Sequence, residues 1–165
     1  MTEIISEILG SVIVGIYRVR LTSDAESYVL HDTLALELKD GSLFELINRQ
    51  DGYDFFQTDL TKLCADFDLS AKEVLALDNS ETQEIQLPLH VWGICQVFSG
   101  TATSERLLAI ALFDRQRHCV ISVILETDEI ELVPFSVQWE RLFSRPYDYD
   151  ILTSRWISME SNFNR

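Results

Sequence analysis

The stretch LALELKDGSLFELI, residues 34–47, predicts a β-hairpin whose register can be argued from its own letters. A three-residue loop that ends in Gly41 puts glycine at the left-handed position such loops require. The apolar side chains then share one face, with the opposed pairs Leu36–Phe44 and Leu34–Leu46. A two-residue loop would instead place a glutamate opposite a leucine and mix the two faces. The stretch therefore predicts an antiparallel pair with one buried face.

A second stretch, LAIALFDRQRHCVISVI at residues 108–124, repeats the pattern and predicts another hairpin. The residues upstream also correspond, because IVGIYRV aligns with VWGICQV and Gly15 matches Gly93, 78 positions later. We therefore expect an internal repeat of two units, at about 12–67 and 90–144. A chance likeness between two β-meanders is the alternative, since amphipathic strands resemble one another by necessity.

The segment 68–89 between the two units predicts a helical linker. Ser70 and Glu73 have the spacing of a capping box. They precede a short apolar run made of Val74, Leu75 and Leu77. These apolar residues indicate that the linker packs on the rest of the protein.

The two ends of the chain carry apolar residues outside the repeat. Near the N-terminus the spacing is that of a short amphipathic helix, formed by Ile4, Ile5, Ile8 and Leu9. In the C-terminal tail, 145–165, the apolar residues predict packing on the body: Ile151, Leu152, Trp156 and Ile157. The last few residues are expected to fray.

Together these elements predict an α+β fold of mainly antiparallel sheet. Each unit is strand-rich and ββββα-like, because Thr58 and Ser136 stand where a helix N-cap is needed after the last strand. Two sheets that each have one apolar face must bury that face, and they can do so by packing against each other. We therefore expect a single compact domain over residues 1–165, which at this length buries roughly 70% of the surface of the unfolded chain.

The charge of the chain restricts the classes of partner. Lys and Arg number 13 and Asp and Glu 27, which gives a net charge of −14. Such a field repels nucleic acid and anionic membranes and attracts cationic partners. Solubility alone is the alternative explanation of an acidic surface.

The sequence predicts a cytoplasmic protein. No apolar run reaches the ~20 residues that cross a bilayer. The N-terminus carries Glu3 and Glu7 where a secretory signal has basic residues. The cysteines, Cys64, Cys95 and Cys119, are odd in number and form no CxxC motif, which indicates free buried thiols in a reducing compartment.

The sequence contains no motif for catalysis or for cofactor binding. Its histidines, His31, His90 and His118, share no metal-ligand spacing. His118 and Cys119 are neighbours on a predicted strand, so their side chains point to opposite faces. We therefore predict no enzyme, no cofactor and no metal, with paired-acid catalysis as the alternative because carboxylates are plentiful.

Three acidic clusters, two of which contain tyrosines, are the candidate partner-binding residues. Carboxylates pair with Arg or Lys, and tyrosine rings add contact area at low entropic cost. The first two clusters occupy equivalent hairpin tips of the two units, and a pseudo-twofold axis between the units need not bring these tips together. The third cluster lies at the start of the C-terminal tail. Their members are Asp51, Tyr53 and Asp54; Asp128, Glu129 and Glu131; and Tyr147, Asp148, Tyr149 and Asp150. The alternative is that turns favour Asp for backbone reasons and that Tyr covers the edge of the core.

These observations favour a non-enzymatic binding protein that sequesters a basic protein. In general character the chain is similar to immunity proteins, which neutralise a toxin such as a nuclease, although it carries no motif of theirs. One alternative is a small-molecule sensor or enzyme with its site between the two units, where Trp92 would form a wall. Another is a structural subunit that assembles through an apolar surface.

Overall fold

The computed structural model describes residues 2–49, 52–63, 72–101, 104–125, 128–133 and 152–162. A short helix at each end flanks a series of β-strands. The helices are α1 (Thr2–Glu7) and α2 (Met159–Asn162). The strands of the first half are β1 (Val12–Thr22), β2 (Ser27–Leu38), β3 (Leu43–Arg49), β4 (Gly52–Thr58) and β5 (Val74–Asp78). Those of the second half are β6 (Leu89–His90), β7 (Gly93–Thr101), β8 (Ser104–Phe113), β9 (Cys119–Ile124), β10 (Glu131–Val133) and β11 (Leu152–Ser158).

The strands form two antiparallel sheets with the same plan. The first sheet has the order β4-β3-β2-β1-β5, and β6 also pairs with β1. The second has the order β10-β9-β8-β7-β11. In each, a four-stranded meander is extended by a later strand that pairs with the first strand of the meander. In its described residues the protein is therefore mainly antiparallel β with very little helix, and the α+β label fits it only loosely.

The first hairpin has the predicted register. Leu34 pairs with Leu46 and Leu36 pairs with Phe44 across β2 and β3. Gly41 has a φ of 89°, the left-handed conformation for which the loop needs glycine. The apolar pattern and the loop were sufficient to fix this pairing because a shift of one residue would reverse both faces.

The second hairpin repeats this arrangement across β8 and β9. Ile110 pairs with Val123 and Leu112 pairs with Ile121. The shared strand order and the similar pairing fit an internal repeat, but they arise in any pair of four-stranded meanders. The duplication of the units 12–67 and 90–144 accordingly stays a prediction.

The helical linker is wrong in its central part, because Val74–Asp78 is the strand β5. This strand pairs antiparallel with Arg18–Thr22, the second half of β1. The edge of β1 that does not pair with β2 has backbone N–H and C=O groups that need hydrogen-bond partners. The five-residue segment β5 supplies these partners. Ser70 of the supposed capping box lies outside the described residues. Tertiary pairing thus outweighed the local helix signal.

The predicted tail is part of the second sheet. β11 pairs with β7 from Leu152 to Ser158, so the segment does more than pack on the body. Leu152 and Ile157 are partly buried against the apolar clusters, as predicted. Ile151 and the helix predicted after Ser136 lie outside the described residues, as does any helix beyond residue 63.

The main apolar core lies between the sheets. One cluster of buried side chains combines residues of the first sheet, residues of the second sheet and the predicted N-terminal helix, for example Leu34, Phe44, Ile94, Ile121 and Ile5. Smaller clusters cover the opposite face of each sheet. The prediction that the first hairpin buries only one face is therefore wrong. Glu45 lies on the face that a hairpin with one buried face would leave to solvent, yet it is 0% exposed. Leu63 belongs to an apolar cluster with Ala35 and Leu43 on that face.

Candidate functional site

A bulge in the first sheet creates a polar site at Arg18. Tyr17 pairs with Ala35 and Val19 pairs with Leu30, so a single residue of β1, Arg18, faces four residues of β2. Such bulges bend a strand and leave backbone groups without ladder partners. Those groups are available to a segment from elsewhere in the chain.

The loop that precedes β10 in the second sheet occupies this opening. The backbone N–H of Ile130 donates to the carbonyl of His31 at 2.6 Å. The Ile130 side chain is 1% exposed within the shared core. Asn48 of β3 donates from Nδ2 to the carbonyl of Glu129 at 3.4 Å. The loop is therefore fixed to the first sheet by both backbone and side-chain groups.

Arg18 bridges the two sheets at this point. Its Nη2 donates to the carbonyl of Ile130 at 2.6 Å and its Nη1 to that of His31 at 3.3 Å. The residue is 5% exposed. Its Nε has no hydrogen-bond partner, and the nearest carboxylate oxygen of Glu81 lies 3.8 Å away as an ion pair. Burial lowers the pKa of Arg18, and the carboxylates of Glu81 and Glu129 oppose this effect. An arginine remains protonated at neutral pH, so a buried positive charge lies under a carboxylate-rich surface.

We give the name acidic rim to four carboxylates at or beside this site. Glu81 and Glu129 act on the charge of Arg18, Asp32 lies close enough to Glu129 for its pKa to be raised by it, and Asp128 precedes Glu129 in the loop. The Glu81 carboxylate lies 3.0 Å from Nε2 of His31. The pKa of Asp32 is raised, mainly by burial and also by the nearby Glu129, although His31 and Arg49 lower it. Three segments that are separated by about 50 residues in the chain, at residues 32, 81 and 128–129, thus bring their carboxylates to the same site.

The structure brings together the two predicted hairpin tips. Asp128, Glu129 and Glu131 are exposed. Asn48 pairs with Tyr53 in the ladder and holds the loop of Glu129, so the tips are neighbours. The remaining predicted residues, Asp51, Tyr147, Asp148, Tyr149 and Asp150, lie outside the described residues.

The two β4 members of the first cluster have structural roles. Tyr53 is partly buried against the main core, and burial raises its pKa. The Asp54 carboxylate accepts a hydrogen bond from Nε of Arg49 at 2.7 Å. Tyr53 therefore fits the interpretation that tyrosine covers the edge of the core better than it fits a role in contacting a partner.

Sequence reasoning missed Arg18, Asp32 and Glu81. The sequence did contain a signal for Arg18, because it stands two residues after Ile16 on a predicted strand and its side chain therefore points to the same, buried face. An arginine on a buried face requires several hydrogen-bond acceptors around it. No local signal indicated Glu81, whose position depends on the turn after β5.

A second acidic surface lies at the other end of the β3–β4 hairpin. An open groove of about 720 Å³ runs between the β2–β3 turn and the turn after β4. Its lining includes Glu37, Asp40 and Asp59, and Leu60 at its edge is 66% exposed. Hydrogen bonds from Ser42 lower the pKa of Asp40, and hydrogen bonds from Thr61 lower that of Asp59. Both carboxylates therefore stay ionised in mildly acidic solution.

The described cysteines are buried. Cys95 and Cys119 are free thiols, with Ala111 in the same cluster. Burial raises the pKa of the Cys95 thiol to about 11, and Cys119 adds to this effect. The Cys95 thiolate, the form that acts as a nucleophile, is therefore scarce at neutral pH. Cys64 lies outside the described residues.

Among the described residues, no group of three His, Cys, Asp or Glu side chains is placed to hold a metal ion. Trp92, the predicted pocket wall, is half-buried with the Arg115 guanidinium 5.5 Å from its ring centre. None of the helices in the described ranges has the length and apolar character to cross a membrane.

Comparison with known proteins found no matching family model, no matching curated protein and no matching solved structure.

Proposed function

We propose that the protein binds and sequesters a basic protein through the acidic rim, in the manner of an immunity protein against a toxin such as a nuclease. The observation that carries the proposal is the convergence of Asp32, Glu81 and Glu129 around the bulge. Glu81 and Glu129 both act on the charge of Arg18, and Glu129 also raises the pKa of Asp32. Like charges this close favour a partner that brings a cation.

The rim is preorganised for binding. The loop of Asp128 and Glu129 is held through the backbone of Ile130 and through Asn48. A partner would therefore meet carboxylates that are already in place, and little conformational entropy would be lost on association. The exposed carboxylates of the loop would pair with Arg or Lys side chains of the partner.

The net charge contributes to the rate of association. A charge of −14 steers a basic partner toward the protein. Association rate constants of about 10⁸ M⁻¹s⁻¹ at low salt, with a steep dependence on ionic strength, are expected of such pairs. For a nuclease, occupation of its cationic substrate groove by carboxylates would block the binding of nucleic acid.

The test begins with capture of partners from the source cell and continues with stopped-flow association. The double variant Asp128→Lys/Glu129→Lys should slow association of the captured basic protein by about tenfold or more at low salt. Its melting temperature should fall, because Glu129→Lys removes an attraction to the buried charge of Arg18, so association is measured at a temperature at which both proteins are fully folded.

A charge-matched control is available at the far end of the hairpin. Asp40→Lys/Asp59→Lys changes the net charge equally, but the groove lies about 20 Å from the rim along the seven-residue β3. This variant should slow association only through the overall field. Equal or greater slowing by the control would place the partner in the groove and contradict the proposal. Capture of no basic protein by the native chain would contradict it outright.

A further inference from the structure

The strand β5 forms an edge of the first sheet. In the described part of the chain it pairs with β1 on one side, and no strand pairs with its other side. The edge is accessible, because Val74 is 63% exposed and Ala76 is exposed as well. Natural proteins protect such edges with proline, lysine or a bulge. The sequence of β5, VLALD, contains neither proline nor lysine, and its ladder with β1 has no bulge, so the edge is open to a further strand.

The hydrogen bonding of β1 shows which backbone groups of β5 face outward. In the turn after β1, the N–H of Ser23 donates to the carbonyl of Glu26 at 2.8 Å, so Ser23 faces β2. Backbone groups of successive residues point to opposite sides of a strand, and Thr22 and every second residue before it therefore face β5. The residues of β5 opposite them are Val74, Ala76 and Asp78. Leu75 and Leu77 consequently direct their N–H and C=O groups away from the sheet.

The open edge continues into the acidic rim. Asp78, the last residue of β5, pairs with Arg18, and Glu81 of the rim follows three residues later. The charge of Arg20 on the same face is balanced by its ion pair of 2.6 Å with Asp78. A strand that lies along β5 and continues past Asp78 would therefore reach the carboxylates of the rim. A second copy of the chain is a poor occupant, because two molecules of charge −14 repel each other.

We propose that the basic partner adds an extended strand to β5 and places its Lys or Arg side chains on the face of the acidic rim. Main-chain hydrogen bonds to Leu75 and Leu77 would supply affinity, and alternate side chains would supply specificity. Leu75 and Leu77 pack against the apolar cluster on the opposite face of the sheet, so the added strand carries apolar side chains between its basic ones. This inference rests on the proposed function, because the strand belongs to the same partner.

The test uses a synthetic octamer that alternates valine and lysine, blocked at both ends, and amide hydrogen exchange of the full chain followed by NMR. We expect saturable protection of the Leu75 and Leu77 amides, which face outward, and no change at Ala76, which is bonded to β1. An octamer that alternates valine and glutamate is the matched control and should protect neither leucine. No protection by the lysine octamer, or equal protection by both octamers, would overturn the proposal. Protection that grows with the concentration of the protein alone would assign the edge to a second copy and would also overturn it.

Two variants of one residue test the backbone hydrogen bonds. Leu75→Pro removes an outward N–H and keeps the bonds of β5 to β1, since proline is tolerated in an edge strand where its nitrogen faces solvent. Leu75→Ala shortens the side chain and keeps the N–H. The lysine octamer should bind Leu75→Pro about fivefold more weakly than Leu75→Ala, and equal affinities would contradict the added strand. The exchange measurement on the native chain does not depend on the folding of either variant.

The inference and the proposed function fail separately. A captured basic protein whose association depends on Asp128 and Glu129, but which leaves the Leu75 and Leu77 amides unprotected, would overturn the added strand and leave the acidic rim as the binding site. Capture of no basic protein would overturn both.

Discussion

At the scale of single residues, Arg18 has the greatest consequence for the fold. It donates hydrogen bonds to carbonyls of both sheets, one of them 112 positions away in the chain. A lysine has no planar fork, so it would not reach both acceptors with the same geometry. We therefore regard Arg18 as the residue that holds the loop of Glu129 against the first sheet.

Arg18→Met should lower the free energy of unfolding by about 2 kcal/mol, because the Ile130 carbonyl would lose its charged donor in a buried place. Arg20→Met on the same strand is the control. It removes a partly exposed ion pair with Asp78 and should cost less than about 1 kcal/mol. Urea unfolding of both variants measures the difference. Equal costs would show that the bridge between the sheets contributes little to stability.

Gly93 and Gly15, the matched glycines of the two units, both lie under aromatic rings. A Cβ atom on Gly93 would lie 2.5 Å from Cζ2 of Trp156, and one on Gly15 would lie 2.4 Å from the Tyr17 ring. Tyr17 is further held by a hydrogen bond of 2.8 Å to Glu37. The glycines are thus required by close approach and not by an unusual backbone conformation.

Gly93→Ala should cost about 1–2 kcal/mol of stability by displacing the Trp156 ring. In a Trp156→Ala background most of this cost should disappear, since the obstructing ring is gone. Gly41→Ala is the comparison, because its penalty comes from a φ of 89° with open space around it and should be the same in both backgrounds. Additive costs for Gly93→Ala and Trp156→Ala would contradict the steric explanation.

At the scale of elements, β1 organises the first sheet. It pairs with β2 along one edge and with β5 and β6 along the other. The attachment of β5 includes an ion pair of 2.6 Å between Arg20 and Asp78. Hydrogen bonds from Ser80 and Arg20 lower the pKa of Asp78 to about 2.

This lowered pKa predicts a contribution of Asp78 to stability in acid. A carboxyl group whose pKa is lower in the folded state stabilises the protein above its unfolded pKa, and the contribution is lost as the pH falls through the folded value. For Asp78 the loss should occur between about pH 4 and pH 2. Asp78→Asn should therefore be less stable than the native chain at pH 5 and closer to it at pH 2.5. Urea midpoints at both values measure this, with Asp24→Asn as the control for an exposed carboxylate, and a constant difference would contradict the assignment.

At the scale of the whole molecule, one core links the two sheets. Side chains of both sheets belong to the same buried cluster, which also includes Ile130 from the loop bound at the bulge. A shared core of this kind favours a single cooperative transition. The position of the tryptophans offers a way to measure it, because Trp92, Trp139 and Trp156 all lie in the second half of the chain.

Leu46→Ala removes buried methyl groups from the first sheet only and should cost about 2–5 kcal/mol. If the sheets unfold together, tryptophan fluorescence should report the whole loss, and its midpoint should coincide with that from far-UV circular dichroism. Leu60→Ala, at a side chain that is 66% exposed, should leave both midpoints unchanged. A fluorescence midpoint unaffected by Leu46→Ala would mean that the sheets unfold separately.

The sequence by itself determined the features that depend on near neighbours. The register of the first hairpin followed from alternating apolar residues and one glycine, and the N-terminal helix followed from the spacing of its isoleucines, with Ile5 and Ile8 buried as expected. Only the tertiary structure decided that Val74–Asp78 is a strand, because its partner β1 lies more than 50 residues earlier in the chain. The burial of Glu45 and the convergence of Asp32, Glu81 and Glu129 around Arg18 were decided in the same way. Pairing and burial of this kind depend on contacts between distant segments, which no local pattern of residues contains.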